Sequence, residues 1–181
     1  CIKERRNQLH EVIRLSGLNI VIDDADHPLI IKVATLQPAR MQVYFIDNED
    51  YFFRTANQGE LEINAHPEDN DERIIFYVRG VVETVKKLRW YPSLVHCTGW
   101  VSSLAPAYLK RIYADDPALN SPKIVYSVCD DTFDGALDSR MQEKLKQEGF
   151  SDQDLAALGQ NPVTWIDLQK IAIDFREGIV Q

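Results

Sequence analysis

Residues 94–128, LVHCTGWVSSLAPAYLKRIYADDPALNSPKIVYSV, decide the fold class. Leu94-Val95-His96-Cys97 is a short apolar run of strand type, and Thr98-Gly99-Trp100 turns the chain. Residues 102–113 then place Leu104, Ala105, Tyr108, Leu109 and Ile112 on one helical face, with Pro106 confined to the first turn. Asp115-Asp116-Pro117 stops that helix, and Ile124–Val128 is a second strand, apolar enough for a sheet covered on both sides. Strand, helix, strand in this order predicts a right-handed parallel crossover within an α/β fold.

Outward toward the N-terminus, Ile74, Val78, Val81, Val85 and Leu88 recur at spacings of three and four, which predicts a helix over about 71–89. Asn70 or Asp71 is its expected cap, and Gly80 within it implies close approach of another backbone. Segment 18–36 holds two β-branched runs around Asp23–Pro28, a hairpin signal. Residues 7–15 fit either a helix or a strand. Met41–Ile46 reads as a buried strand stopped by Asp47-Asn48, and 55–71 as a surface loop. Toward the C-terminus, one helix is expected over 137–148, closed by Gly149. Ser151 with Asp154 resembles a capping box for a short helix stopping at Gly159. Thr164 is placed to cap a third helix with Trp165, Leu168, Ala172 and Phe175 inward, and Ile179–Gln181 opens a further strand.

Composition bounds the function. With 181 residues, one domain is expected, since a typical domain has about 150. A net charge of −8 argues against a nucleic-acid partner, and no apolar run reaches the roughly 18 residues of a membrane span. Three scattered cysteines, Cys1, Cys97 and Cys129, argue against a disulfide framework or a cysteine-based zinc site and fit a reducing cytoplasm. The chain opens on Cys1 with no signal peptide, and is expected to be a piece of a longer protein.

If the apolar strands share one sheet, their ends bring Asp47-Asn48, Cys97–Trp100 and Cys129–Asp131 to a single crevice, where open α/β sheets bind ligands. No GxGxxG, P-loop or GxSxG signature occurs, and no histidine pair has metal-ligand spacing. His96 is either a functional group at a strand end or a core histidine bonding neighbouring backbone. Cys129 is a nucleophile or an inert thiol; no histidine is near it in sequence, and the charges of Asp130 and Asp131 disfavour a thiolate. Asp130 and Asp131 are either Mg²⁺ ligands or solvated caps. Trp100 is either a sugar-stacking platform or a lid on the core.

Four separated segments resemble, in order, the N-terminal domain of the bacterial-type glycogen and starch synthases, retaining glucosyltransferases of the two-domain GT-B fold. PSLVHCTGWVSSLAPAYLK followed by VYSVCDDTFDG corresponds to the family's P-D-(apolar)₂-H-x-H-D-W-H-x-x-L-x-P-x-Y-L-K and V-F-T-V-H-N-x-x-Y-Q-G. MQVYFIDNEDYFFR and DNDERIIFYVRGVVE resemble two further family stretches, and IDLQKIAIDFREGIVQ sits where the family has a helix and a strand, so the likeness runs from about residue 41 to the end. It implies a Rossmann-like, mainly parallel sheet flanked by helices, with an N-terminal β-hairpin region, and residues 1–181 as one N-terminal domain. It also implies transfer of glucose from ADP-glucose or UDP-glucose to an α-1,4-glucan with retention, no cofactor and no metal.

The departures lie in the motifs. The family's catalytic histidine corresponds to Cys129 and the asparagine after it to Asp130. In H-x-H-D-W-H only His96 and Trp100 persist, with Thr98, Gly99 and Val101 replacing the other three residues. His96, Trp100 and Asp130 are thus the implied sugar-binding positions, and Cys129 marks the catalytic one. The resemblance places the family's K-T-G-G loop before Cys1 and its nucleotide-binding C-terminal domain after Gln181, so this segment alone is expected to be inactive. A degenerate relative that binds glucan or a partner is the second expectation, and a free-standing interaction module the third.

Overall fold

The computed structural model describes residues 12–52, 69–160 and 162–180. The chain divides into two compact units, Cys1–Ala65 and His66–Gln181.

The first unit is a three-stranded antiparallel sheet in the order β1 (Val12–Ile22), β2 (Ala25–Leu36), β3 (Met41–Asp47). Residues 12–15 are therefore strand, whereas 7–11 lie outside the described residues, as does most of the expected loop at 55–71. The turn between β1 and β2 is shorter than the polar cluster implies. Ile22 pairs with Ala25, leaving only Asp23 and Asp24 to reverse the chain. Both have positive φ (48° and 64°), the backbone of a two-residue turn that follows the twist of its strands. Ala25–Pro28 continue as strand. Pro28 is tolerated there because β3 pairs with β2 only from Ile30 onward, so its missing N–H breaks no bond on that side. Ile20, Ile22, Leu29 and Ile31, at alternate positions, are almost fully buried.

Asp47 and Asn48 are used within this unit. Asp47 pairs with Lys32 at 2.5 Å. Asn48 Oδ1 accepts from the N–H groups of Asp50 and Tyr51 (2.9 and 3.0 Å), capping the short helix α1 (Glu49–Phe52), while its Nδ2 donates to Pro28 O at 2.8 Å.

The second unit is α/β. Its sheet is parallel, in the order β4 (Leu94–Thr98), β5 (Lys123–Ser127), β6 (Gly178–Val180), so the apolar tail does form a strand. Helix α2 (Asn70–Lys87) follows the predicted stripe, with Ile74, Ile75, Phe76, Val78 and Val82 buried. The expected caps do not cap it: Asp69 precedes the helix, and Asn70 and Asp71 are buried inside it. They are committed elsewhere, Asn70 to Arg73 and Asp71 to the buried ammonium of Lys144, which also meets Glu72 (2.7 Å to each acid). Burial alone would lower the pKa of Lys144; the two carboxylates outweigh it and hold the ammonium above its ordinary range.

The crossover is three short pieces in place of one helix. A tight turn over Trp100–Ser102 leads into α3 (Ala105–Ala107), with Pro106 in its first turn, and then into a π-helical stretch Tyr108–Ile112. Helix α4 is Met141–Gln147, shorter than expected at its start. Leu137 N–H donates to Val163 O at 2.8 Å and Asp138 accepts from Arg140 N–H at 2.7 Å, so residues 137–140 have partners outside a helix. Ser151 and Asp154 form the expected reciprocal bonds before a short turn Ala156–Leu158. Helix α5 (Trp165–Phe175) starts on a capping box of Thr164 and Asp167. Its buried residues include Leu168, Ile171 and Ala172, while Trp165 and Phe175 are only half-buried.

One face of the parallel sheet is covered. Cys97, Ile124 and Tyr126 join Val82, Leu109, Leu119 and Ala172 in a core cluster. The other face is more open than the strand pattern predicts. Leu94, His96 and Thr98 of β4 and Lys123 of β5 are exposed, and Val125 and Ser127 half-buried. Alternate polar residues at 96, 98, 123 and 127 account for this.

Candidate active site

Parallel pairing of β4 with β5 sets Thr98 beside Ser127 and brings the chain segments that follow, Gly99-Trp100 and Val128–Asp131, to the same end of the sheet. Two of the three expected loops therefore meet. The third does not join them in a sheet, because β3 belongs to the antiparallel sheet and its Asp47-Asn48 end is consumed by local bonds.

His96 is exposed on the open face, and its Nε2 lies 2.7 Å from Ser127 Oγ on the neighbouring strand. Of the two earlier readings, the histidine does find a partner, but a side-chain hydroxyl in place of backbone. Cys129 is half-buried; its Sγ lies 3.8 Å from Ser127 O, and its carbonyl accepts from Gln169 Nε2 of α5 at 3.2 Å. Asp130 is exposed. Trp100 is 4% exposed and packs edge-on against Phe133 with ring centroids 4.8 Å apart, so its indole forms part of the core beneath the loops. Among the described residues, no group of three or more His, Cys, Asp or Glu side chains is arranged to hold a metal ion.

The turn after β4 is bonded on several sides. Tyr126 Oη donates to Gly99 O at 3.3 Å, Ser102 Oγ to Thr98 O at 2.9 Å, and Trp100 N–H to Asp131 Oδ2 at 3.0 Å. Burial, with the nearby charge of Asp131 second, raises the Tyr126 phenol, which stays neutral and available as this donor. Burial likewise pushes the Cys97 thiol up to about 11, leaving it inert at neutral pH. The parts of this network that the sequence reading did not single out are Gln169, Ser102 and the Asp131 bond. Gly99, Trp100 and Asp131 gave a signal, each with no stated partner.

The arrangement offers polar groups (an imidazole, a carboxylate, a thiol and a hydroxyl) at the carboxyl end of two parallel strands. No helix among the described residues is long and apolar enough to cross a membrane.

The family model of the starch synthase catalytic domain matches residues 1–176. A glycogen synthase of Chlorobium limicola is 33% identical over 150 residues, covering 83% of this chain and 31% of the relative. A glycogen synthase of Chlorobium chlorochromatii is 35% identical over 127 residues, covering 70% of this chain and 26% of the relative. The catalytic domain of starch synthase IV from Arabidopsis thaliana, solved bound to ADP and acarbose, superposes with a TM-score of 0.68 at 17% identity, over 96% of this chain and 34% of that one. The chain thus spans about a third of the length of the curated relatives it matches. The α/β unit with its parallel sheet and the N-terminal antiparallel hairpin sheet have the fold of a GT-B glycosyltransferase domain, and the chain belongs to the starch synthase catalytic domain family of glycosyltransferases.

Proposed function

We propose that this chain is the acceptor-side portion of a glycogen- or starch-synthase-like glucosyltransferase acting in the cytoplasm. The whole protein would move glucose from ADP-glucose or UDP-glucose to the 4-hydroxyl of an α-1,4-glucan with retention. The observation that carries this reading is the family match across residues 1–176. His96 and Asp130 would bind sugar hydroxyls from the open end of the sheet. Trp100 would act from below, fixing the shape of the loop it underlies. Cys129 occupies the catalytic position with a thiol, a weak donor. Such a reaction rests largely on positioning the acceptor hydroxyl and supporting the departing nucleotide electrostatically, so it does not depend on this one side chain.

The test is glucosyl incorporation into glycogen by the full-length protein, supplied in turn with each nucleotide sugar. Incorporation from one of them is the expected result; none from either, by folded protein, would overturn the reading. Cys129→His should raise the rate if a sugar lies against this position.

One observation favours a second reading. Cys129, Thr98, Gly99 and Val101 together replace four polar groups of the family motifs. A glucan-binding relative without transfer would bind maltooligosaccharides yet leave both donors intact.

A further inference from the structure

We infer that Asp131 is a positioning residue of this site and that it works with Gly99 as a single unit: the carboxylate that anchors the turn after β4 comes across from the loop after β5, into space that only glycine at position 99 leaves open. The functional part of this inference rests on the glucan reading above.

The geometry at Gly99 is restrictive. Its backbone, at φ 76° and ψ 170°, lies in a region almost reserved for glycine. A Cβ built there would sit 2.2 Å from Asp131 Oδ2 and 3.2 Å from its Cγ. Real atoms do not approach so closely, so the Asp131 carboxylate fills the space in which a side chain at 99 would begin. From that place Oδ2 accepts the Trp100 N–H at 3.0 Å. The same turn is held by β5 on its other groups, through Tyr126 Oη to Gly99 O (3.3 Å) and Gly99 N–H to Ser127 O (3.5 Å). The family motif resembled here carries an acid at position 99, directly before the tryptophan. In this chain position 99 has no side chain, and the Asp131 carboxylate lies where a side chain there would begin.

Asp131 is placed for this at some cost. Its second oxygen, Oδ1, is buried, with no hydrogen-bond donor reaching it among the described residues. An unsatisfied buried acceptor is unfavourable, so packing alone would be better served by an apolar residue. The turn it secures carries Trp100 and directly follows Thr98, two strand positions from His96, so its register controls where the acceptor side of the cleft lies. Asp131 acts on a ligand through that turn.

The experiment uses the full-length protein and has two arms. Hydrogen exchange over residues 98–103 is compared between wild type, Asp131→Ala and Asp131→Asn. The alanine variant should exchange the Trp100 amide roughly tenfold faster, while the amides of β4 keep their protection. The asparagine variant, which keeps an acceptor oxygen, should restore it. Glucan transfer then gives the functional readout: Asp131→Ala raises the KM for the glucan primer or lowers kcat, leaves the KM for the nucleotide sugar unchanged, and is rescued by Asp131→Asn. A second variant tests the coupling. Gly99→Ala should lower the melting temperature less in the Asp131→Ala background than in wild type, because its collision partner is gone, with the loss roughly halved. Unchanged exchange at Trp100 in Asp131→Ala, or equal cost of Gly99→Ala in both backgrounds, would overturn the inference. Wild-type protein inactive with both donors would count against the transferase reading alone, because the exchange and melting arms do not depend on it.

Discussion

In the antiparallel sheet, two residues join β1 to β2; in the parallel sheet, residues 99–122 join β4 to β5. The first connection fixes its register locally, by the backbone that Asp23 and Asp24 adopt. The second cannot. Its strands are aligned by contacts between residues distant in sequence: Trp100 N–H with Asp131, Ile124 N–H with Glu177, Val128 N–H with Val180. A turn can be improved by one substitution, whereas an alignment built on remote partners is mostly open to damage.

The largest expected effect breaks the remote kind. Lys144→Ala would strand Asp71, which is fully buried, without its ammonium partner. Loss of one member of a buried ion pair costs about 3–5 kcal/mol. Chemical denaturation of the protein should show that loss in the transition of the second unit. Lys144→Met, which adds no charge but fills the volume, should not restore stability while Asp71 remains ionised.

A smaller effect concerns the cap of α5. Thr164→Ala removes the hydroxyl of the capping box and should cost about 0.5–2 kcal/mol in the same transition. The antiparallel sheet supplies the opposite sign. Asp24 holds φ at 64°, where glycine is at ease, so Asp24→Gly should stabilise the hairpin by about 0.5–1 kcal/mol, read as a higher denaturation midpoint for the first unit. A destabilised hairpin would mean that its register is set by something other than the turn.

The smallest effect is a pH dependence. The Ala118 N–H and, after it, Lys86 hold the Asp116 carboxyl below its usual range. A carboxylate whose folded pKa is depressed stabilises the fold above its unfolded value, near 4, and that contribution disappears as the pH falls through the lower folded value. Asp116→Asn should therefore narrow its stability gap from wild type as the solution is acidified through that window. Melting curves between neutral and strongly acidic pH would show a constant gap if the pairing contributes nothing.

The same contrast governs what could be read in advance. The hairpin, the stripe of α2 and the Thr164 helix follow local rules, and the sequence contains each rule within a few residues. The errors arise where a local rule met a distant partner. Asn70 and Asp71 have the right chemistry to cap a helix, but Lys144, more than seventy positions away, claims Asp71. Residues 137–140 are helix-compatible, but Val163 O takes the Leu137 N–H. Met41–Ile46 lies in a strand, but one that runs on through Asp47 and is not the buried strand expected: Met41 and Gln42 are exposed and only Phe45 of the six is buried, and no local feature says which sheet the strand joins. At the site, Cys129 is legible as a residue just past a strand, whereas His96 falls mid-strand where an end was expected, and the neighbours of both across the sheet were not legible. Ser127 reaches His96, Gln169 reaches Cys129 and Asp131 reaches Trp100 over spans of 31 to 40 positions.

The space between Gly99 and Asp131 also bears on history. A side chain at 99 and the Asp131 carboxylate compete for one volume, so with acids at both positions the carboxylate at 131 would have to swing away from the turn. With glycine at 99 the acid at 131 settles against the turn, and a side chain regained there would begin 2.2 Å from its Oδ2. A single glycine thereby couples the two positions: among relatives, an acid against this turn from position 131 should go with glycine at position 99.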